Sequence, residues 1–205
     1  MKSVEGPPCD KCLEANNPNW GIEGEHGVQI VLVLESSDYR ALRTDYQTEL
    51  FASRSGRAII EILGDRIENS MITNSAKCLF KDGHKKPSTK MYENCAENVL
   101  QQIERLNPQL VICFGEKAAE AVTGQKFRDV LGKICGRVVV VHHPRVMTVE
   151  EKKMLKEILA NFPIQSVWEG LFACPKDELG TWWCNVCRDR HVDCFEDAWY
   201  LCQLV

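Results

Sequence analysis

Met71-Ile72-Thr73-Asn74-Ser75-Ala76-Lys77-Cys78 is the stretch on which the reading of this chain turns. A short β-branched run closing on Thr-Asn has the form of a strand. Its carboxyl end presents a primary amide, which can both donate to and accept from the edge of a planar ligand. Four residues after Asn74 stands Cys78, which falls into place as the third member of a set opened by Cys9 and Cys12. One strand end is therefore expected to carry a recognition amide and to tie the N-terminal segment onto the same face.

Working outward, Val28-Gln29-Ile30-Val31-Leu32-Val33-Leu34 is a nearly continuous apolar run, the pattern of a buried parallel strand. Leu110 to Phe114 and Val138 to Val141 repeat it. Helical spacing lies between these runs, in Ile59, Ile60, Ile62 and Leu63, then in Tyr92, Cys95, Val99, Ile103 and Leu106. Asn107-Pro108 stops the second helix. An Ala-rich helix follows Gly115, and Thr148-x-x-Glu151 is a capping box that opens a last helix. Strands alternating with helices predict a parallel sheet covered on both faces. Ligands bind such sheets beyond the carboxyl ends of the strands, where Glu35 to Asp38, Asn74 and His143 all fall. Residues 1–27 read as irregular, the second strand as Met71 to Thr73, and Leu79 to Thr89 as a lysine-rich loop.

No run approaches the apolar length of a membrane span, and the N-terminus lacks a signal-peptide core. A cytoplasmic protein with no membrane partner, acting as a monomer, is expected. The net charge of −4 gives no global pull toward nucleic acid, so any polyanion must meet local patches. Arg54 and Arg57 form one such patch, and Lys81, Lys85 and Lys86 another. Eleven cysteines, an odd number, argue for metal ligation over a disulfide framework. Cys9, Cys12, Cys78 and Cys95 can hold either zinc or an iron–sulfur cluster.

The principal domain is expected over 1–165, with a Cys/Trp-rich extension over 166–205. There Cys184-x2-Cys187 is a half-site for zinc that His191 and Cys194, or Cys202 or Cys174, could complete. The alternative is an aromatic-anchored tail with free thiols.

The pieces taken in order resemble the uracil-DNA glycosylase superfamily, and most of all its iron–sulfur-containing family 4. They are Cys9-x2-Cys12; the strand leading to Glu35; Phe51-x3-Ser55-Gly56; Thr73-Asn74-x2-Lys77-Cys78; Lys86-Pro87-Ser88-Thr89 leading to Cys95; Asn107 to Gly115; and His143-Pro144. The resemblance implies a three-layer αβα sandwich around a central four-stranded parallel sheet. It also implies a [4Fe–4S] cluster on Cys9, Cys12, Cys78 and Cys95. By the same resemblance Phe51 stacks on a flipped base, Asn74 reads its edge, and His143 stabilises charge on the departing base. Arg54, Ser55, Lys85, Lys86 and Arg145 are the expected DNA contacts.

One motif departs from the family. Where its first motif has the form Gly-Glu-x-Pro-Gly, this chain reads Leu34-Glu35-Ser36-Ser37-Asp38. Glu35 and Asp38 become the candidate general bases, and Ser36 stands where other members carry a catalytic Asp or Asn. The implied function is a DNA glycosylase for a non-standard pyrimidine, either uracil or a modified cytosine such as the glucosylated hydroxymethylcytosine of phage DNA. Three alternatives stand beside it: a conventional uracil-DNA glycosylase of base-excision repair, a non-catalytic iron–sulfur DNA-binding protein, and a redox sensor.

Overall fold

The computed structural model describes residues 1–4, 15–18, 20–24, 27–36, 50–80 and 87–161. In chain order the strands are β1 (Lys2–Ser3), β2 (Ala15–Pro18), β3 (Ile22–Glu23), β4 (Ile30–Ser36), β5 (Ser70–Ala76), β6 (Cys78–Phe80), β7 (Leu110–Phe114), β8 (Ile134–Cys135) and β9 (Val138–Val141). The helices are α1 (Arg54–Leu63), α2 (Thr89–Leu106), α3 (Glu116–Thr123), α4 (Phe127–Val130) and α5 (Val149–Asn161), with a 3-10 turn over Gly64–Asn69.

The main sheet has seven strands in the order β1-β3-β5-β4-β7-β9-β8. Its centre, β5-β4-β7-β9, is parallel. Short antiparallel strands extend both edges, which corrects the expected four-stranded sheet to a mixed seven-stranded one. The three added strands are two residues long, too short to print any alternation on the sequence. Two of them belong to the segment expected to be irregular, which instead packs Trp20 and Ile22 into the interior.

Side-chain alternation along the central strands divides the core in two. Leu32, Ile72, Ile112 and Val139 meet Ile59, Ile62 and Leu63 of α1 and Leu155 and Leu159 of α5. On the other face Val31, Val33, Met71, Val111 and Val140 meet Val99 and Ile103 of α2 and Ala118, Ala119 and Val122 of α3. The result is three layers. Each fully buried aliphatic side chain contributes about 1.5–3 kcal/mol to holding them together.

Helix ends set the placement of the site. The Ser53 hydroxyl caps α1 by accepting from Gly56 N at 2.9 Å. A Cβ on Gly56 would lie 2.0 Å from the Leu50 carbonyl oxygen, so only glycine permits that approach. Ser88 caps α2, and Asn107 ends it in the left-handed region at φ 42°.

β5 runs three residues past its expected end. Its polar half is buried as strand because its hydroxyls find carbonyls: Thr73 lies 3.1 Å from Trp20 O, and Ser75 lies 2.8 Å from Glu35 O. β6 likewise replaces the start of the expected loop.

Candidate active site at the carboxyl ends of the sheet

A cleft of about 810 Å³ opens where β4 and β9 end against α1. Glu35, His143, Pro144 and Val146 line it together with four cations, Arg54, Arg57, Arg145 and Lys152. A chain of net negative charge thus carries a locally cationic groove. Glu61 closes its outer wall, bridging α1 to Lys152 at 3.5 Å and Lys156 at 3.3 Å on α5.

Glu35 lies against the start of α3. A Cβ on Gly115, the N-cap residue at φ 89°, would stand 2.8 Å from Glu35 Oε1. Glycine at this position therefore makes room for the carboxylate. From there Glu35 acts electrostatically on both His143 and Tyr92.

His143 is half-buried, and burial lowers its pKa below the ordinary histidine value. Glu35 opposes that shift and Arg145 reinforces it. The Arg145 backbone N–H donates to His143 Nδ1 at 3.4 Å. That bond assigns the proton of the neutral ring to Nε2, leaving Nε2–H as its donor.

The turn carrying His143 is held from behind by Glu151. Its Oε1 accepts from His142 N at 2.9 Å and from His142 Nδ1 at 2.9 Å, while Oε2 accepts from Thr148 N at 2.8 Å. The Thr148 hydroxyl accepts from Glu151 N in return. Burial pushes the Glu151 pKa up, but these hydrogen bonds outweigh it and hold the carboxyl below its ordinary value. Phe127 packs edge-on against the His142 ring at 5.5 Å.

The cleft brings together Glu35, Arg54, His143 and Arg145 of the expected site residues. Asn74 is completely buried beside Leu34 on the neighbouring strand and is not part of the cleft lining. Phe51 is half-buried against the larger apolar cluster. Ser55 is half-buried in the first turn of α1. Ser36 hydrogen-bonds the side chain of Tyr92 on α2, whose phenol is raised by burial and by Glu35. Asp38, Lys85, Lys86, Cys9, Cys12, Cys184, Cys187, His191 and Cys194 lie outside the described residues.

The sequence pattern alone did not single out Glu61 or Lys152 for this cleft. Glu151 carried a usable signal in its capping box, though not one that pointed to the His143 turn.

A second polar centre lies behind Asn74. Lys77 is 1% exposed. Its ammonium donates to the Thr73 hydroxyl and, at 2.6 Å, to Gln102 Oε1 on α2. Gln102 Nε2 donates to Trp20 O at 2.8 Å, and the Trp20 ring lies 5.7 Å from Lys77 Nζ. Burial pushes the Lys77 pKa down to about 7, and a charged Cys95 acts against that shift.

Beyond Lys77 lie two buried thiols, Cys78 at the start of β6 and Cys95 on the inner face of α2. β2 pairs antiparallel with β6, setting Pro18 opposite Cys78 and Ala15 opposite Phe80. Cys12 precedes Ala15 by three residues, a reach of about 10 Å at full extension. Cys9 and Cys12 themselves lie outside the described residues. Two buried thiols on separate elements suit part of the ligand set of a metal that takes thiolates. Among the described residues no three potential ligands gather.

Compared with known proteins, residues 36–163, more than half of the chain, match the model of the uracil DNA glycosylase superfamily. That span includes Asn74, Cys78, Cys95 and His143. A type-4 uracil-DNA glycosylase of Archaeoglobus fulgidus is 29% identical over 120 residues, which are 56% of this chain and 58% of that protein. The chain thus spans less than two thirds of the length of the curated relative it matches. No described helix is long and apolar enough to cross a membrane.

Proposed function

The chain belongs to the uracil-DNA glycosylase superfamily, and from that premise we propose that it is a DNA glycosylase that flips out a pyrimidine and hydrolyses its N-glycosidic bond. One observation carries the reading: Glu35 and His143 face one cationic cleft from the ends of two parallel strands.

Each side chain takes a role that its surroundings suit. Arg54, Arg57 and Arg145 bind phosphates and set the register of the strand without reading sequence. Asn74 lies buried outside the cleft lining, so the flipped base reaches its amide only by opening that strand end, where the amide then pairs with the base edge. As the C1′–N bond breaks, the electron pair passes to the base and the sugar becomes cationic. Neutral His143 donates Nε2–H to the base oxygen as negative charge builds there. Glu35 opposes the sugar's positive charge and takes a proton from the water that adds to C1′. That proton then passes through solvent to the base anion, which restores the Glu35 carboxylate and leaves the neutral free base and an abasic site.

Two bases compete. The Archaeoglobus relative, a uracil-DNA glycosylase, supports uracil. The Leu34-Glu35-Ser36 sequence, of which Glu35 lines the cleft, is rebuilt relative to the family motif and supports a bulkier modified cytosine, a substrate suited to defence against phage. Single- and double-stranded oligonucleotides carrying uracil, hydroxymethylcytosine or glucosylated hydroxymethylcytosine, followed by mass spectrometry of released bases, decide between them. Release of uracil alone removes the modified-cytosine version. Binding without any release leaves the non-catalytic DNA-binding reading.

Cys9, Cys12, Cys78 and Cys95 are inferred to hold a [4Fe–4S] cluster, which supplies a covalent tie between the N-terminal segment, β6 and α2. Iron and zinc per chain, measured by elemental analysis, test this cluster and the zinc site at Cys184, Cys187, His191 and Cys194 together.

A further inference from the structure

The reaction just described leaves one buried charged group unused. Lysine is seldom fully buried without an anionic partner. Lys77 has two neutral acceptors, Thr73 and Gln102, and an aromatic face in Trp20. These satisfy its hydrogen bonds but not its charge. Among the described residues no carboxylate pairs with it. The groups that flank it are thiols. Cys78 is the next residue, and Cys95 lies two helical turns before Gln102 on the same buried face of α2. The helix face that supplies its acceptor Gln102 also carries the buried Cys95.

We propose that Lys77 is a positioning residue for the thiolate-bound cluster: clamped by Thr73 and Gln102 over Trp20, its ammonium is the buried cation that faces the thiolates of Cys78 and Cys95 and ties them to the strand end bearing Asn74. This rests on the cluster reading above. Four thiolates around an iron–sulfur core leave a net negative charge, and a fixed cation in a low-dielectric interior offsets it. Partners beyond the ligands themselves commonly alter metal retention by 10–100-fold, and they tune cluster potential through charge and hydrogen bonding. The arrangement also gives the polar network a place in the fold. It joins the N-terminal segment through Trp20, β5 through Thr73, and α2 through Gln102, the elements adjoining the candidate ligands.

The test uses the full chain, purified without oxygen as wild type, Lys77→Met and Gln102→Glu. Methionine keeps the unbranched apolar stem and removes the charge. Glutamate keeps an acceptor for Lys77 but adds a carboxylate that competes for the cation. Four quantities are read: iron and sulfide per chain, the half-life of the cluster's visible absorbance under a chelator, its reduction potential, and the thermal midpoint. Lys77→Met is expected to shorten the half-life about tenfold and move the potential negative. Gln102→Glu is expected to move both in the same direction by less.

Wild-type half-life and potential in Lys77→Met overturn the proposal, even if the thermal midpoint falls, because a merely structural lysine predicts that result. If Lys77→Met does not fold, Gln102→Glu decides, and unchanged values there overturn it equally. A wild type that holds no iron overturns the cluster reading and this inference together. An iron-loaded wild type with indifferent variants overturns the inference alone.

Discussion

The ends of β5 and β9 are held in opposite ways. At the β5 end Thr73, Asn74, Ser75 and Lys77 are all buried. Apart from the contact between Lys77 and Thr73, the partners of Thr73, Ser75 and Lys77 lie far off in sequence, from Gln102, 25 residues beyond Lys77, to Trp20, 53 residues before Thr73. At the β9 end His142 and His143 are partly exposed, and their partners Arg145 and Glu151 lie 2 and 9 residues away. One end is fixed by the whole fold, the other by a local turn. The difference matches the tasks proposed for them. An amide that reads a base edge must not shift, whereas a histidine that meets the departing base needs access from the cleft.

The comparison is broken most directly by removing one side chain from each end. His143→Ala is expected to lower single-turnover base release by about 10²–10³-fold, the size of losing one preorganised donor, with little change in thermal midpoint. Asn74→Ala is expected to abolish release and also to cost about 1–3 kcal/mol of stability, because it vacates a buried polar position. Chemical denaturation of the two variants separates these outcomes. A large stability loss in His143→Ala with none in Asn74→Ala would reverse the comparison.

A smaller effect sharpens it at the strand between them. Gly115→Ala places a Cβ 2.8 Å from Glu35 Oε1 at a φ of 89°. Such a backbone costs a non-glycine residue about 1–3 kcal/mol. Stability should fall by that amount, and base release should fall further than stability accounts for, since the carboxylate must move. Equal stability and rate in Gly115→Ala would show that Glu35 is not held against α3 in solution.

Legibility in the sequence follows the same division. β4, β7 and β9 were visible as apolar runs, and α2 and α5 as periodic segments, because their burial repeats with the period of the element. The capping box Thr148-x-x-Glu151 was visible because it is local. β5 beyond Thr73 was not, since a run of Thr, Asn and Ser reads as strand only when carbonyls from residues far away stand ready for the hydroxyls. Lys77 was hidden for the same reason. A lysine beside a cysteine reads as surface until Gln102 and Trp20 are brought around it. The two-residue strands β1, β3 and β8 have no period to detect. Glu35 and Ser36 were placed beyond the strand end, yet the strand continues through Ser36. The contact of Glu35 with Gly115 joins residues with no sequence relation. Convergence at the strand ends was expected from the sequence, and the structure brings Glu35, Arg54, His143 and Arg145 into one cleft while leaving Asn74 out of its lining.

The smallest expected effect falls on the local end. Glu151→Gln keeps the shape of the side chain and weakens the acceptor for His142 N, His142 Nδ1 and Thr148 N. The folded carboxyl titrates below its ordinary value of 4.5. Its contribution to stability is therefore fully present above that value and is lost as pH falls through the lower folded pKa. Near neutral pH the variant should be less stable by about 1 kcal/mol, the usual worth of a helix cap. Below the ordinary glutamate range the two proteins should converge. Denaturant midpoints measured across that window check the sign. A gap that persists or widens in acid would mean that Glu151 acts through packing rather than as a charged acceptor. The His143 turn would then owe its position to contacts other than this carboxylate.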